Sequence, residues 1–383
     1  MSINALLRKF NNMFAVHTSR FYTLGFDKQK HYLDSFPEPR NDIERSYYQY
    51  LCQVFSCESR LSYLLKVISS TVLYLIEKNS VRYIENDKSE IAPVIYLSVN
   101  HKKNMLPKEI TSTEYKYIAY DKSHSIDDFD KLFMKEIEEY YPHSYYFLYK
   151  VFLKIGFYSF VINKYSPRKI VVHGETSFTS SILTLYCERR GIRHINVMHG
   201  EKAFLIRDAF FRFSDCYVWS DYHVNLFQLL RAGESNYIVS TPPSMVINKS
   251  SIKINSERVH DYTFYLGYET KKSLTIIKNA VLRLEHKGKT VQLRPHPSYT
   301  NYSQLLDFFS DKYIENPQKV GIEESILHTK NVVSIYSTVF RQAYNAGINV
   351  IVDNISNIIY FKGMKDLKFW LYDLNPRLLS EEL

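Results

Sequence analysis

Short apolar runs that break off into polar clusters, with a helical stretch between one run and the next, constrain this chain more than any other feature. Residues 169–172 (KIVV) lead into His173-Gly174-Glu175, and residues 194–198 (HINVM) lead into His199-Gly200-Glu201. Between them lies "FTSSILTLYCERR", with Thr176 or Ser177 placed to cap its start and Gly191 to close its end. Strand, helix and strand in that order predict a βαβ unit, and with it a parallel sheet and a right-handed crossover.

The alternation extends both ways. Strands are expected at 92–99, 216–220 and 236–240, with helices at 222–233 and, before them, at 145–163. A helical region runs from Asp42, read as its N-cap, to about residue 78, and a further helix is expected in "SIDDFDKLFMKEIEEYY". Residues 1–40 look irregular. "TPPS" (241–244) and the polar stretch 248–261 interrupt the pattern, and a second alternation follows. Its strands are expected at 262–268, around "TVQLRP", at 312–316, 331–337 and 349–354. Its helices are expected at 271–287, in "GIEESILHTK" and in "TVFRQAYNAG". The reading is therefore α/β: two doubly wound Rossmann-type domains, 1–245 and 246–383, facing across a cleft, with extra N-terminal helices.

Composition narrows the partners. At 383 residues the chain has room for two domains, and 45% hydrophobic with 23% charged residues marks it as globular. A net charge of +9 favours a phosphate-bearing partner or an anionic membrane surface. No basic run or nucleic-acid motif points to nucleic acid. The four cysteines lack metal-site spacing and read as structural thiols of a reducing cytoplasm. The N-terminus lacks the pattern of a signal peptide. Residues 61–76 and 145–162 are apolar but carry Lys66, and Lys150 with Lys154, respectively. Both read as amphipathic helices, for which packing in a core is favoured over lying on a membrane.

In parallel sheets, ligands bind beyond the carboxyl ends of the strands. Four expected strands end in chemically able residues: His173-Gly174-Glu175, His199-Gly200-Glu201, His296-Pro297 and Ser337-Thr338. A neutral imidazole suits removal of a hydroxyl proton near neutral pH, which makes His199 the candidate base. Glu201 is an alternate base or orienting partner, and Glu175 is placed either to orient His199 or to hold acceptor hydroxyls. Ser337 and Thr338 precede a helix and suit a phosphate. Arg294 adds charge two residues before His296, whose backbone the following Pro297 holds extended. Lys202 and Arg207 are candidates for attracting an anionic acceptor. The acidic stretch at Ile126-Asp127-Asp128, which continues as Phe129-Asp130, falls in an expected charged helix and is a weak metal candidate, so no metal or other cofactor is expected.

"RPHPS" and "YSTVFRQAYNAG" resemble, in type, order and separation, the His-Pro and Ser-Ser/Thr motifs of GT-B glycosyltransferases. The resemblance is to bacterial sialyltransferases and related capsule and lipopolysaccharide transferases, and it covers roughly residues 165–353. It implies that His296, Ser337 and Thr338 hold the phosphate of a CMP-activated sugar. Gln342 stands where such enzymes often carry a ribose-binding Glu. Where they place an acidic base before glycine, this chain has His199, an arrangement similar to that of CDP-glycerol phosphotransferases. The expectation is a bacterial surface-glycan glycosyltransferase, cytoplasmic and at the inner face of the membrane, acting on a glycan or glycolipid hydroxyl by metal-independent displacement. A CDP-polyol transferase, a UDP- or GDP-sugar transferase and a non-catalytic binding protein are the alternatives.

Overall fold

The computed structural model describes residues 24–78, 90–121, 124–252 and 259–383. The N-terminal segment read for a signal sequence, most of the irregular 1–40 region and part of the polar stretch 248–261 lie outside these residues. The chain divides into two compact units. One takes the described residues up to His199 together with Phe204–Thr241, and the other takes Gly200–Ala203 and Pro242–Leu383.

The first unit begins with helices α1 (Phe26–Asp34), α2 (Asp42–Cys57) and α3 (Arg60–Glu77). The expected single helical region is broken at Glu58, where the chain turns extended, and Ser59 restarts the helix by accepting from Ser62 N–H. Asn41, one residue before the expected cap, accepts from Glu44 N–H. Next come β1 (Val94–Ser98), α4 (Lys108–Thr111), β2 (Lys116–Ala119), α5 (Asp128–Tyr140) and α6 (Tyr145–Tyr165). The βαβ core follows as β3 (Lys169–Val172), α7 (Ser180–Arg189) and β4 (Arg193–Val197), then β5 (Asp215–Val218), α8 (Asp221–Leu229) and β6 (Asn236–Val239). α7 starts at Thr179 rather than at Thr176 or Ser177, and Gly191 closes it in the left-handed conformation (φ 69°).

All six strands are parallel, in the order β2-β1-β3-β4-β5-β6. The chain progresses one way from β1 to β2 and the other way from β3 onward. With right-handed crossovers that reversal sends helices to both faces, and the switch point falls between β1 and β3. β1 is buried at all five positions, as expected of a central parallel strand.

The helices supply the aromatic richness of the composition. Tyr32 stacks on Phe55 at 3.9 Å and Tyr47 on Tyr141 at 3.7 Å. α6 alone among the described helices is long and apolar enough to cross a membrane, yet most of it is buried within its unit. Lys150 is exposed, and Lys154 lies 3.8 Å over the Tyr120 ring. α3 departs from the expected core packing: Leu61, Leu64, Ile68, Val72 and Leu75 form a helical stripe that is 46–67% exposed.

The second unit contains β7 (His260–Tyr265), α9 (Lys271–His286), β8 (Val291–Arg294), α10 (Tyr302–Leu306), α11 (Ile322–Leu327), β9 (Thr329–Ser334), α12 (Val339–Asn345) and β10 (Asn349–Val352). α13 (Ile358–Asp366), the two-residue β11 (Arg377–Leu378) and α14 (Leu379–Glu382) complete it. The order β11-β10-β9-β7-β8 is again all parallel, with its switch between β7 and β9. α9 packs Leu274, Ile277, Val281 and Leu284 against Phe264 and Leu293 of the sheet. The expected strand at 312–316 is instead a 3-10 turn with one bridge, Leu293 to Ile314. Both units are thus the α/β doubly wound type expected from the alternation.

Candidate active site

β3 and β4 lie side by side, so the polar clusters that follow them emerge at one edge of the first sheet. Gly174 is needed there for packing. A Cβ at that position would meet Phe213 at 3.1 Å and Val172 at 3.2 Å, so the chain passes close to the sheet only because the residue has no side chain. Its N–H donates to Asn196 Oδ1 on β4 (2.8 Å), and its carbonyl accepts from Ser180 Oγ. These bonds fix the turn that carries Glu175, whose own carbonyl accepts from Gln49 Nε2 of α2. Glu175 is wholly buried.

Its carboxylate Oε1 stands 3.3 Å from Nδ1 of His199, whose side chain is 33% exposed. Trp219 Nε1–H steadies the approach by donating to the Met198 carbonyl (3.2 Å). A buried carboxylate facing Nδ1 favours the tautomer protonated there, which leaves Nε2 as an acceptor. Gly200 plays no steric part in the turn: its φ is ordinary and a Cβ there would meet no atom within 4 Å.

A second imidazole completes the cluster. The ring of His173 lies 5.1 Å from that of His199. Its Nδ1–H donates to the Val197 carbonyl at 2.5 Å, so Nε2 accepts from the Tyr96 hydroxyl at 2.7 Å. Burial pushes its pKa down to about 4, and the ring is neutral at physiological pH.

Several expected site residues have other employment. The Glu201 carboxylate is buried and accepts from Arg341 Nε (2.7 Å), with the guanidinium 3.6 Å over the Trp370 ring. Its backbone carbonyl accepts from the Tyr336 hydroxyl (3.0 Å). It is held by its own unit as a structural anion, and Glu175 is the carboxylate beside His199. Lys202 is buried too. Arg207 Nε lies 3.3 Å from Asp208, and its carbonyl accepts from Gln49 and Gln53, so its backbone ties loop to helix.

In the second unit, Arg294 pairs with Glu315 and donates to the Val320 carbonyl, all within the interior. It neutralises a buried carboxylate and is not free for a donor phosphate. Gln342 is likewise committed: its Nε2 donates to the Ser244 carbonyl at 2.7 Å, anchoring the segment after the Pro242-Pro243 break.

His296, Pro297, Ser337 and Thr338 keep positions suited to a ligand. β8 and β9 flank β7, so their carboxyl ends bracket the end of β7 and the turn at Gly267 that follows it. Thr300 Oγ1 donates to the Gly267 carbonyl and accepts from His296 N–H, holding that loop to the strand end. His296 is exposed and stacks on Tyr299 at 4.3 Å. Its Nδ1 accepts from Ser298 N–H (3.0 Å), which places the ring proton on Nε2, as a donor. Ser337 Oγ accepts from Val339 N–H, and Thr338 makes no side-chain cap.

Sequence reasoning passed over Glu269, two residues beyond Gly267 at the same switch point. Its Oε1 accepts from Gly267 N–H (2.6 Å), its Oε2 is buried with no hydrogen-bond partner among the described residues, and burial pushes its pKa up to about 7. "YLGYET" carries the same signature of an apolar run ending in a polar cluster, which was the available signal. Among the described residues no group of three His, Cys, Asp or Glu side chains is arranged to hold a metal ion.

No protein-family model matches the sequence, and no match was found among curated proteins. Among solved structures, the UDP-N-acetylglucosamine 2-epimerase of Rickettsia bellii is similar over 68% of this chain and 79% of its own, at 10% identity and a TM-score of 0.41. MnaA of S. aureus, in a structure with UDP, is similar over 68% and 78%, at 12% identity and a TM-score of 0.44. A variant of the wall teichoic acid polymerase TagF is similar over 84% and 86%, at 10% identity and a TM-score of 0.41.

Proposed function

We propose that the protein is a glycosyltransferase of GT-B type, with His199 as the general base. The observation that carries this reading is the pairing of His199 with the buried Glu175 at the carboxyl edge of a parallel sheet. In the proposed reaction an acceptor hydroxyl gives its proton to Nε2 as its oxygen attacks the donor's anomeric carbon. The bond to the nucleotide phosphate breaks as the new one forms, and Glu175 stabilises the imidazolium. The Nε2–H of His296 and the hydroxyls of Ser337 and Thr338 receive the departing phosphate. Neither step calls on a metal.

The donor is proposed as a CMP-activated acidic sugar and the acceptor as a glycan or glycolipid of a bacterial surface polymer. A cytoplasmic location at the inner membrane face accords with the exposed aliphatic stripe on α3. The use of histidine in place of an acidic base favours a second reading, transfer from a CDP-polyol.

Ligand-induced thermal stabilisation with CMP, CDP, UMP, UDP and GDP tests the proposal. A nucleotide at one hundred times its Kd stabilises by about 2.7 kcal/mol. Selective stabilisation by CMP supports the first reading and by CDP the second. A preference for UDP or GDP replaces the donor, and no response to any nucleotide removes the transferase.

A further inference from the structure

Beyond His173, away from His199, the first sheet's switch point carries an aromatic and basic surface to which no role has been given. Tyr96, fully buried on β1, is its hub. It touches the His173 ring on one side, and the rings of His101, Tyr115 and Tyr117 lie 5.8–6.3 Å from it. His101 is exposed and lies nearly parallel on Tyr117, with ring centroids 4.6 Å apart and planes at 16°. Its Nε2 meets the Tyr115 hydroxyl at 3.2 Å, and the Tyr117 hydroxyl donates to the Ser98 and Val99 carbonyls. The imidazole is thus held flat against a ring that is itself fixed.

Lys102 and Lys103 follow directly, and both are exposed. The Lys102 charge is close enough to depress the proton affinity of His173. Two exposed cations beside a rigid, partly exposed aromatic surface give a concentrated positive field over a flat apolar face. An acidic pyranose fits both features: its C–H face lies on an aromatic ring while its carboxylate or phosphate meets an ammonium. A neutral sugar satisfies the first alone, and a polyol-phosphate chain, lacking a ring, satisfies the second alone.

We infer that the loop after β1, with β2, forms an acceptor subsite for an anionic oligosaccharide, in which His101 backed by Tyr117 stacks on a sugar ring and Lys102 binds its acidic group. The inference rests on the transferase reading for the word acceptor, since His173 links this surface to His199.

The test uses the full chain and three probes of matched length: an α2,8-linked oligosialic acid, a maltooligosaccharide and an oligo(glycerol phosphate). Affinities are measured by microscale thermophoresis at two salt concentrations. Oligosialic acid should bind at least fivefold more tightly than either other probe, and less tightly at higher salt. His101→Ala should weaken binding of oligosialic acid and maltooligosaccharide alike, whereas Lys102→Ala should weaken oligosialic acid alone. Both changes lie on the surface, and unchanged circular dichroism checks the fold. Equal affinity for all three probes, or indifference to both substitutions, overturns the subsite. Nucleotide stabilisation of the same samples separates the two claims. A chain that responds to nucleotide but shows no preference for the acidic sugar loses only the subsite. One that binds the acidic sugar as described but ignores every nucleotide keeps the subsite and loses the transferase.

Discussion

Glu175 and His199 come from turns after adjacent strands, and the buried carboxylate of the first meets Nδ1 of the second at 3.3 Å. The half-buried imidazole thereby turns one nitrogen toward the carboxylate and keeps the other for a ligand. Replacing His199 by Ala should lower kcat by about 10²–10⁴-fold while nucleotide stabilisation persists. Glu175→Gln, which keeps the shape and removes the charge, should cost about 10²-fold. Full activity in His199→Ala would end the assignment of the base.

Arg294→Ala should destabilise the second unit by about 3–5 kcal/mol, because Glu315 is left as a buried unpaired charge. Replacing both residues by Met and Leu should recover most of that loss. Urea unfolding measures both effects. If Arg294→Ala instead leaves stability intact and abolishes nucleotide binding, the residue belongs to the donor site after all.

Gln342→Ala should leave nucleotide affinity within about twofold and cost about 1 kcal/mol of stability, the worth of its bond to the Ser244 carbonyl. A tenfold loss of affinity at unchanged stability would return it to the ribose.

Buried histidines set the acid limit of the first unit. Burial holds His173 down to about 4 and His194, hydrogen-bonded to Thr184 and Tyr158, down to about 3. Each binds fewer protons folded than unfolded. Their stabilising contribution is therefore complete above about pH 6.5 and is lost as the pH falls toward those values. With both titrating, stability should fall by up to about 2.7 kcal/mol per pH unit between pH 6 and 4.5, with half that slope in His194→Gln. Identical slopes in the two proteins would contradict it.

Glu269 has the opposite sign. Its folded pKa, near 7, is raised above the unfolded carboxylate value of 4.5. Its contribution is whole below the unfolded value and disappears as the pH climbs through 7. Glu269→Gln should therefore gain about 2–3 kcal/mol relative to the parent between pH 4.5 and 8, read from urea midpoints at both values. A constant difference between the proteins would place an ordinary, solvated carboxylate there.

What could be read from the residues follows from range. β3 and β4 are legible because central parallel strands are short unbroken apolar runs, and the turns they feed stand next to them in sequence. The pairing of Glu175 with His199 needs only the knowledge that those strands are neighbours. β2 is hidden because its "KYIA" is a half-exposed edge strand in a charged neighbourhood, and β11 because two residues have no periodicity. The fates of Arg294 and Gln342 turn on partners 21 and 98 residues away, which no local pattern announces. An arginine at a strand end looks the same whether it faces a ligand or a buried glutamate.

The excursion of Gly200–Ala203 into the second unit has a practical consequence for anyone dividing the gene. A polypeptide beginning at Pro242 would contain every strand of the second sheet and yet lack Glu201. Arg341 would remain stacked on Trp370 with its counter-charge left on the other fragment. Half-molecules produced separately should therefore express poorly on the C-terminal side. Adding back a peptide that spans the missing four residues is the natural complementation.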